Sequence, residues 1–334
     1  QQPGLGESER AQRSRQYIAE QLYETGLLPG GDGQHGIAGF SQALSLLGVR
    51  SQLRGAPQFR STATTIPVRI SVAAREVVLF SAAQKPEIAL QDSELVFVGY
   101  GITAPERAWD DYKGVDMRGK VALILDGNPV ESGAAKGQAV ASSRWPSKFA
   151  EALRRGALGA LLIHDSQRAA DSLPRLRSYF AGERLLASAP ADSPALQVSG
   201  FISDEAARRL LLAAGLELEK QQQAAQDRDF TPTSLRVRMS AQLQNQVRSV
   251  DSANVVGILP GSDESLRSEA VVLTAHIDQL AGAYDPEQPE SLVSLPAVRD
   301  RAVGAAGLLA MARATRQLPP PKRSLIFAFV SGHG

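Results

Sequence analysis

The sequence of 334 residues contains no cysteine, which excludes disulfide bonds, thiolate zinc sites and cysteine nucleophiles together. It also lacks an excess of charge, because 36 Lys+Arg against 35 Asp+Glu leave a formal net charge of +1. A general nucleic-acid-binding protein needs a concentrated basic surface, so we expect no nucleic-acid partner. Any metal ion must therefore be held by carboxylates and by the 4 histidines.

Long apolar segments are missing as well. The longest runs, at residues 160–163 and 325–330, fall far short of the roughly 20 residues that a membrane-spanning helix needs, so we expect no membrane span. The N-terminal residues lead into a charged segment without the apolar core of a signal peptide. A composition with 43% hydrophobic and 21% charged residues is typical of globular proteins, and the length suggests about two domains.

The hydrophobic pattern predicts strands that alternate with helices, which is typical of an α/β layered sheet. Apolar spacing predicts a helix over residues 11–25 that ends at Gly26, and Asp204 is the expected N-cap of a later helix. A further helix is predicted to begin at Pro146, and another is predicted to span residues 301–316. The expected buried strands are 95–98, 121–125, 159–163, 255–259, 271–274 and 325–330.

The segment Thr274-Ala275-His276-Ile277-Asp278 is the most informative for chemistry. Side chains alternate along a strand, so His276 and Asp278 are expected on the same face, at the end of an apolar strand. In open α/β sheets the carboxyl ends of strands border the ligand crevice, and a metal-binding histidine usually donates its second ring nitrogen to a carboxylate. The alternative is a partly buried histidine in an ordinary hydrogen bond.

Two further residues are candidates for the same crevice. Asp300 precedes a helix of small and apolar residues, where it is either an N-cap or a carboxylate ligand at the positive end of the helix. His333 follows the predicted strand 325–330 and either lines the crevice or is exposed to solvent. His35 and His164 have no carboxylate at ligand spacing, so structural or surface roles are expected for them.

Taken in order, these segments resemble the secreted zinc aminopeptidases, namely the bacterial leucyl and Y-type aminopeptidases, with glutamate carboxypeptidase and the transferrin receptor as distant relatives. Residues 93–131 and 144–165 are similar to the protease-associated domain that is inserted in many members. The peptidase part then resumes with SANVVGILPGSDE at 252–264 and VVLTAHID at 271–278.

The resemblance implies a mixed central sheet flanked by helices, with a β-rich protease-associated insert. The implied domains are residues 1–90 and 249–334 for the peptidase part and residues 91–248 for the insert. It also implies a site with two zinc ions, in which His276 and Asp300 are ligands and Asp278 orients His276. Asp300 occupies the position of the bridging aspartate, in a motif that reads D-R-A-V-G here.

The sequence also departs from the family pattern. His333 and Gly334 occupy the positions of a Glu-Glu pair, the general base and a further ligand, and Arg301 places a cation beside the bridging aspartate. In the family, a further Asp and His come later in the chain. A catalytic zinc needs at least three protein ligands, so we expect the polypeptide as written to have little or no hydrolytic activity. The alternative is a noncatalytic pseudo-peptidase that binds a peptide or a protein.

Partners and location follow from the same resemblance. We expect a peptide or protein as substrate or ligand, and an extracytoplasmic location, either periplasmic or secreted. The strand 325–330 would expose apolar surface or an unpaired edge without the later segments of the family. A partner chain, a domain swap or further sequence is therefore expected to cover it.

Overall fold

The computed structural model describes residues 9–33, 35–129, 145–166, 169, 171–190, 193–277 and 296–332. The side chains of residues 9, 10 and 296–302 are not among those described. Among the described residues, no helix combines the length and the hydropathy that crossing a membrane requires.

The described chain contains strands and helices in alternation, which confirms the predicted α/β class. The helices are α1 Glu9–Glu24, α2 Trp145–Arg154, α3 Leu173–Ala181, α4 Asp204–Leu212, α5 Leu218–Ala224 and α6 Pro296–Gln317. The strands are β1 Leu28–Pro29, β2 Ser41–Leu53, β3 Gln58–Ser61, β4 Val68–Ile70, β5 Val77–Phe80, β6 Glu87–Phe97, β7 Thr103–Ala104, β8 Trp109–Asp110, β9 Val121–Leu125, β10 Gly159–His164, β11 Arg184–Ala187, β12 Val198–Ser203, β13 Thr233–Leu259, β14 Ala270–His276 and β15 Ser324–Val330.

The chain divides into two compact units. Unit 1 comprises residues 1–49, 183–189 and 248–334, and unit 2 comprises residues 50–182 and 190–247. Unit 2 begins at Arg50 because of strand pairing: β3 pairs with β13, and β5 pairs with β12, so the segment before residue 91 lies in the same sheet as the segment after it. The division into a peptidase part and an insert of residues 91–248 stays a prediction.

The sheet of unit 2 has a parallel centre formed by β6, β9, β10 and β12 in that order. Side chains alternate between two cores, with Leu123 in one and Ile124 in the other. Helices α4 and α5 cover the first core, and α2 and α3 cover the second. A strand buried on both faces needs a continuous apolar run, which explains the sequence Val-Ala-Leu-Ile-Leu of β9.

Unit 1 is built around β15, which pairs antiparallel with the end of β13 and parallel with β14. Helices α1 and α6 pack on one face of this sheet, where Leu22 and Ala312 are fully buried beside Phe327. Helix α1 ends at Glu24, and Gly26 adopts a left-handed φ of 77° just after it. A glycine in this conformation is a common helix C-terminus, so the predicted stop at Gly26 is confirmed.

Candidate metal centre

The parallel pairing of β14 and β15 places the carboxyl ends of two strands side by side. His276, the last residue of β14, lies opposite Val330, the last residue of β15. The next residue continues the pairing, because the amide of Ile277 donates to the carbonyl oxygen of Val330 at 3.1 Å. The positions that follow Val330 therefore emerge at the same edge of the sheet as His276.

The two faces of β14 have different surroundings. Leu273, Ala275 and Ile277 pack against the core that includes α1 and α6. His276 alternates with them, so its imidazole lies on the other face, where it is exposed. The predicted partner Asp278 lies outside the described residues, and its role in orienting His276 remains a prediction.

Asp300 lies inside a helix rather than before one. Helix α6 begins at Pro296, so Asp300 is its fifth residue, and its interpretation as an N-cap is wrong. Proline is favoured in the first helical position because its fixed φ suits the helix and its missing N–H is not needed there. Helix α6 packs against β14, the strand that carries His276. The Asp300 side chain lies outside the described residues, and its role as a ligand beside His276 stays a prediction.

The end of β15 is fixed by a residue that the sequence analysis did not single out. Asn254 accepts a hydrogen bond from the amide of Ser331 at 3.0 Å, and its amide group donates to Gln42 at 2.9 Å. Gly332 then adopts a φ of 86°, a left-handed conformation that glycine tolerates best. This turn sets the direction of the chain just before His333, which lies outside the described residues.

The two remaining histidines have the expected structural or surface roles. His164 is buried at the end of β10, where its Nε2 donates to the carbonyl oxygen of Asp171 at 2.7 Å. His35 is exposed at the start of the 3₁₀ turn Gly36–Phe40. Neither lies in a group of three potential metal ligands within the described part of the chain.

The described side chains do not by themselves form a zinc centre. His276 is the one predicted ligand whose side chain is described, and no three His, Asp or Glu side chains converge within these residues. An imidazole at a strand end is a suitable zinc donor, but a catalytic zinc needs at least three protein ligands. The described part of the site therefore supplies one suitable donor, His276, and not a complete ligand set.

Unit 2 contains a separate pair of buried charged residues. The ammonium of Lys148 donates to the carbonyl oxygens of Tyr100 at 2.6 Å and Leu125 at 3.0 Å, and burial lowers its pKa to about 8. The carboxylate of Asp111 accepts from the amide of Ile102 at 2.9 Å and from the indole of Trp109 at 2.8 Å. Burial raises the pKa of this carboxyl to about 6. These bonds join loops and strand ends, so residues 109–112 form a structured turn.

Part of unit 1 matches a known protein family. Residues 254–332 match the sequence profile of Peptidase family M28. The matched stretch contains β14, α6 and β15 and therefore includes His276 and Asp300. It confirms, for this part of the chain, the predicted resemblance to a family of peptidases. It begins at Asn254, the residue that holds the end of β15.

The solved structures that match this chain include an aminopeptidase. The aminopeptidase from Aneurinibacillus sp. strain AM-1 is matched over 98% of this chain and 59% of its own, with 18% sequence identity and a TM-score of 0.41. The chain thus spans 59% of the length of that aminopeptidase. A search among curated proteins finds no match.

Proposed function

We propose that the chain is a metallo-aminopeptidase-like protein whose site lies at the carboxyl ends of β14 and β15. The observation that carries this proposal is the register that sets His276 opposite Val330 within the stretch that matches Peptidase family M28. The substrate or ligand is then the N-terminal part of a peptide or protein, and an extracytoplasmic location is part of the same proposal.

In this proposal His276 and Asp300 are the zinc ligands, and Asp278 orients the imidazole of His276. A bound zinc would supply a water of lowered pKa and would polarise a peptide carbonyl. His333 occupies the position of a general base, for which a neutral imidazole is chemically suited. The contribution of the chain is to hold these groups at one sheet edge.

We further propose that the polypeptide as written has little or no hydrolytic activity. Gly334 has no side chain with which to bind a metal, and Arg301 lies next to Asp300 in sequence, where its charge opposes a dication. The same two residues favour the alternative function, a noncatalytic protein that binds a peptide or a protein. The two functions differ in hydrolysis, whereas both allow peptide binding.

Zinc titration of the purified chain tests the proposed metal site. Hydrolysis of leucyl-p-nitroanilide tests the proposed lack of activity. We expect zinc binding that becomes at least about tenfold weaker in His276→Ala, because a ligand is lost, together with negligible hydrolysis. His35→Ala is the matched control, since it removes an exposed histidine of the same unit.

Each outcome has a distinct meaning. Zinc binding that is unchanged in His276→Ala contradicts the metal site. Rapid hydrolysis that is lost in His276→Ala but kept in His35→Ala contradicts the proposed inactivity and establishes the enzyme. Negligible hydrolysis with binding of unlabelled peptides supports the noncatalytic alternative.

A further inference from the structure

A row of three arginines crosses the outer face of unit 2. Arg69 on β4 lies opposite Arg60 on β3, and Arg60 lies opposite Arg238 on β13. Directly opposed residues of neighbouring strands share a face of the sheet, with Cβ atoms about 5 Å apart. The Arg60 and Arg238 side chains are 44% and 40% exposed, and Arg69 is exposed as well. Like charges in this arrangement repel each other, so a carboxylate beside the row is stabilising.

The chain supplies one such carboxylate at one end of the row. Asp92 accepts from Arg60 at 2.8 and 2.5 Å, and its other carboxylate oxygen lies 3.6 Å from Arg238. It reaches them from a left-handed backbone conformation with a φ of 49°, at a register shift between β6 and β13. The geometry around Asp92 shows how an acidic side chain fits between guanidinium groups of this face.

Arg69, at the other end of the row, has no ion-pair partner among the described residues. The neighbouring acidic residue Glu94 is already engaged, since it lies opposite Arg238, contacts Ser234 and is 3.9 Å from Lys120. The row therefore offers an accessible guanidinium at Arg69 with a second one, Arg60, directly beside it.

The opposite face of β4 is apolar. Val68 lies opposite Ser61, whose hydroxyl donates to the carbonyl oxygen of Ala213 at 3.4 Å, next to the end of α4. Val68 is 55% exposed and Leu212, the last residue of α4, is 68% exposed. Strand β4 therefore carries an arginine on one face and an apolar residue on the other.

Strand β4 is also an edge. Within the described residues it pairs with β3 and with no second strand, so one row of its backbone groups is available to another chain. Extended peptides bind to such edges through main-chain hydrogen bonds, and the residues on alternate sides give specificity.

We propose that β4 is a docking edge for an extended peptide in which acidic and apolar residues alternate. Its acidic side chains contact Arg69 and Arg60, and its apolar side chains contact Val68 and Leu212 on the other face. An acidic peptide fits better than a nucleic acid, because the row is short, already holds Asp92, and belongs to a chain with a net charge of +1.

The test uses the whole chain and a fluorescent synthetic peptide of alternating glutamate and leucine residues, with binding followed by fluorescence anisotropy. We expect Arg69→Glu to weaken binding by about tenfold or more, as expected for the loss of a charge-assisted contact. Val68→Ser should weaken it as well. Arg118→Glu is the matched control, because Arg118 is an arginine of unit 2 with 83% side-chain exposure that pairs with Asp116 and is not a member of the row.

Two comparison ligands make the test specific. A peptide of the same composition with its glutamates in one block should bind less tightly than the alternating peptide, and so should a peptide methylated at alternate backbone nitrogens. Equal binding of the block peptide, or equal weakening by Arg118→Glu, contradicts the proposal. Tighter binding of heparin or single-stranded DNA that depends on Arg69 contradicts it too, in favour of a polyanion site. Circular dichroism of each variant confirms folding.

Discussion

Lys148 shows how one buried charge can organise a region of the fold. Its ammonium binds carbonyl oxygens that follow β6 and end β9, and it lies 5.5 Å from the centre of the Tyr100 ring. A buried charge is costly unless it is paired and hydrogen-bonded, and here the carbonyls and the ring provide part of that compensation. Helix α2, which carries Lys148, is thereby connected to the parallel centre of unit 2.

Asp111 leads to a prediction about pH. Its pKa is about 6 in the folded protein, above the ordinary value of 3.8, so it stabilises the fold most below about pH 4. This contribution to stability is lost as the pH rises through about 6. The rise in the pKa of Asp111 from 3.8 to about 6 is roughly two units, which corresponds to about 3 kcal/mol in the free energy of unfolding. We expect Asp111→Asn to remove this pH dependence, measured as the free energy of unfolding in urea between about pH 4 and pH 7.

The absolute stability of Asp111→Asn does not enter this test, because the asparagine amide also changes the bonds to Ile102 and Trp109. The exposed Asp229→Asn is the control, and its profile should follow that of the unchanged chain. A profile of Asp111→Asn that retains the full pH dependence would mean that another group titrates in this range.

At the scale of elements, helix α4 differs from its sequence-based prediction by one residue. The N-cap is Ser203, whose hydroxyl accepts from the amide of Ala206 at 3.2 Å, whereas Asp204 is the first helical residue. Both residue types are favoured N-caps, so composition alone does not choose between them. The position of the N-cap is set by strand β12, because this strand ends at Ser203, in register with His164 of β10.

The capping assignment predicts a difference between two substitutions. Ser203→Ala should destabilise the chain by about 1 kcal/mol, because an amide at the helix start loses its partner. Asp204→Asn should cost only about 0.3–1 kcal/mol through its interaction with the helix dipole, and less at high salt. Urea unfolding of both variants checks the order. A loss for Ser203→Ala that is no larger than the loss for Asp204→Asn, with both measured at high salt, would contradict the assignment of Ser203 as the cap.

At the scale of the whole molecule, strand β14 carries exposed apolar surface at an edge of the sheet in unit 1. We expected it on strand 325–330, but β15 pairs with β13 and β14, and β14 pairs on one side only within the described residues. Val271 and Val272 of β14 are 47% and 55% exposed. Unprotected apolar edges of this kind pair readily with other chains.

This surface predicts self-association of the protein. Sedimentation should show a molecular mass that rises with protein concentration, and Val272→Lys should reduce the association, because an edge lysine opposes strand pairing. Val303→Lys is a matched control, since Val303 is 67% exposed on α6 rather than on a strand edge. Equal reduction by both variants, or a monomer at every concentration, would contradict the prediction.

Many buried strands of unit 2 can be predicted from the local sequence, whereas the residue at which the unit begins cannot. Short runs such as Val121–Leu125 and Gly159–His164 are apolar on both faces, so their burial is visible in the sequence. The start of the unit at Arg50 depends on pairings of β3 and β5 with strands more than 100 residues away. No local pattern specifies such partners.

The candidate site, too, could be predicted only in part from the sequence. The sequence alone identified His276 as a strand-end histidine, because residue type, apolar run and alternation are properties of a few neighbouring residues. Only the tertiary structure decided that His276 lies opposite Val330, that Asp300 is inside α6, and that Arg69 and Arg60 share a face. The physical reason is that strand register and helix starts depend on backbone hydrogen bonds and packing between distant segments, which the order of residues does not display.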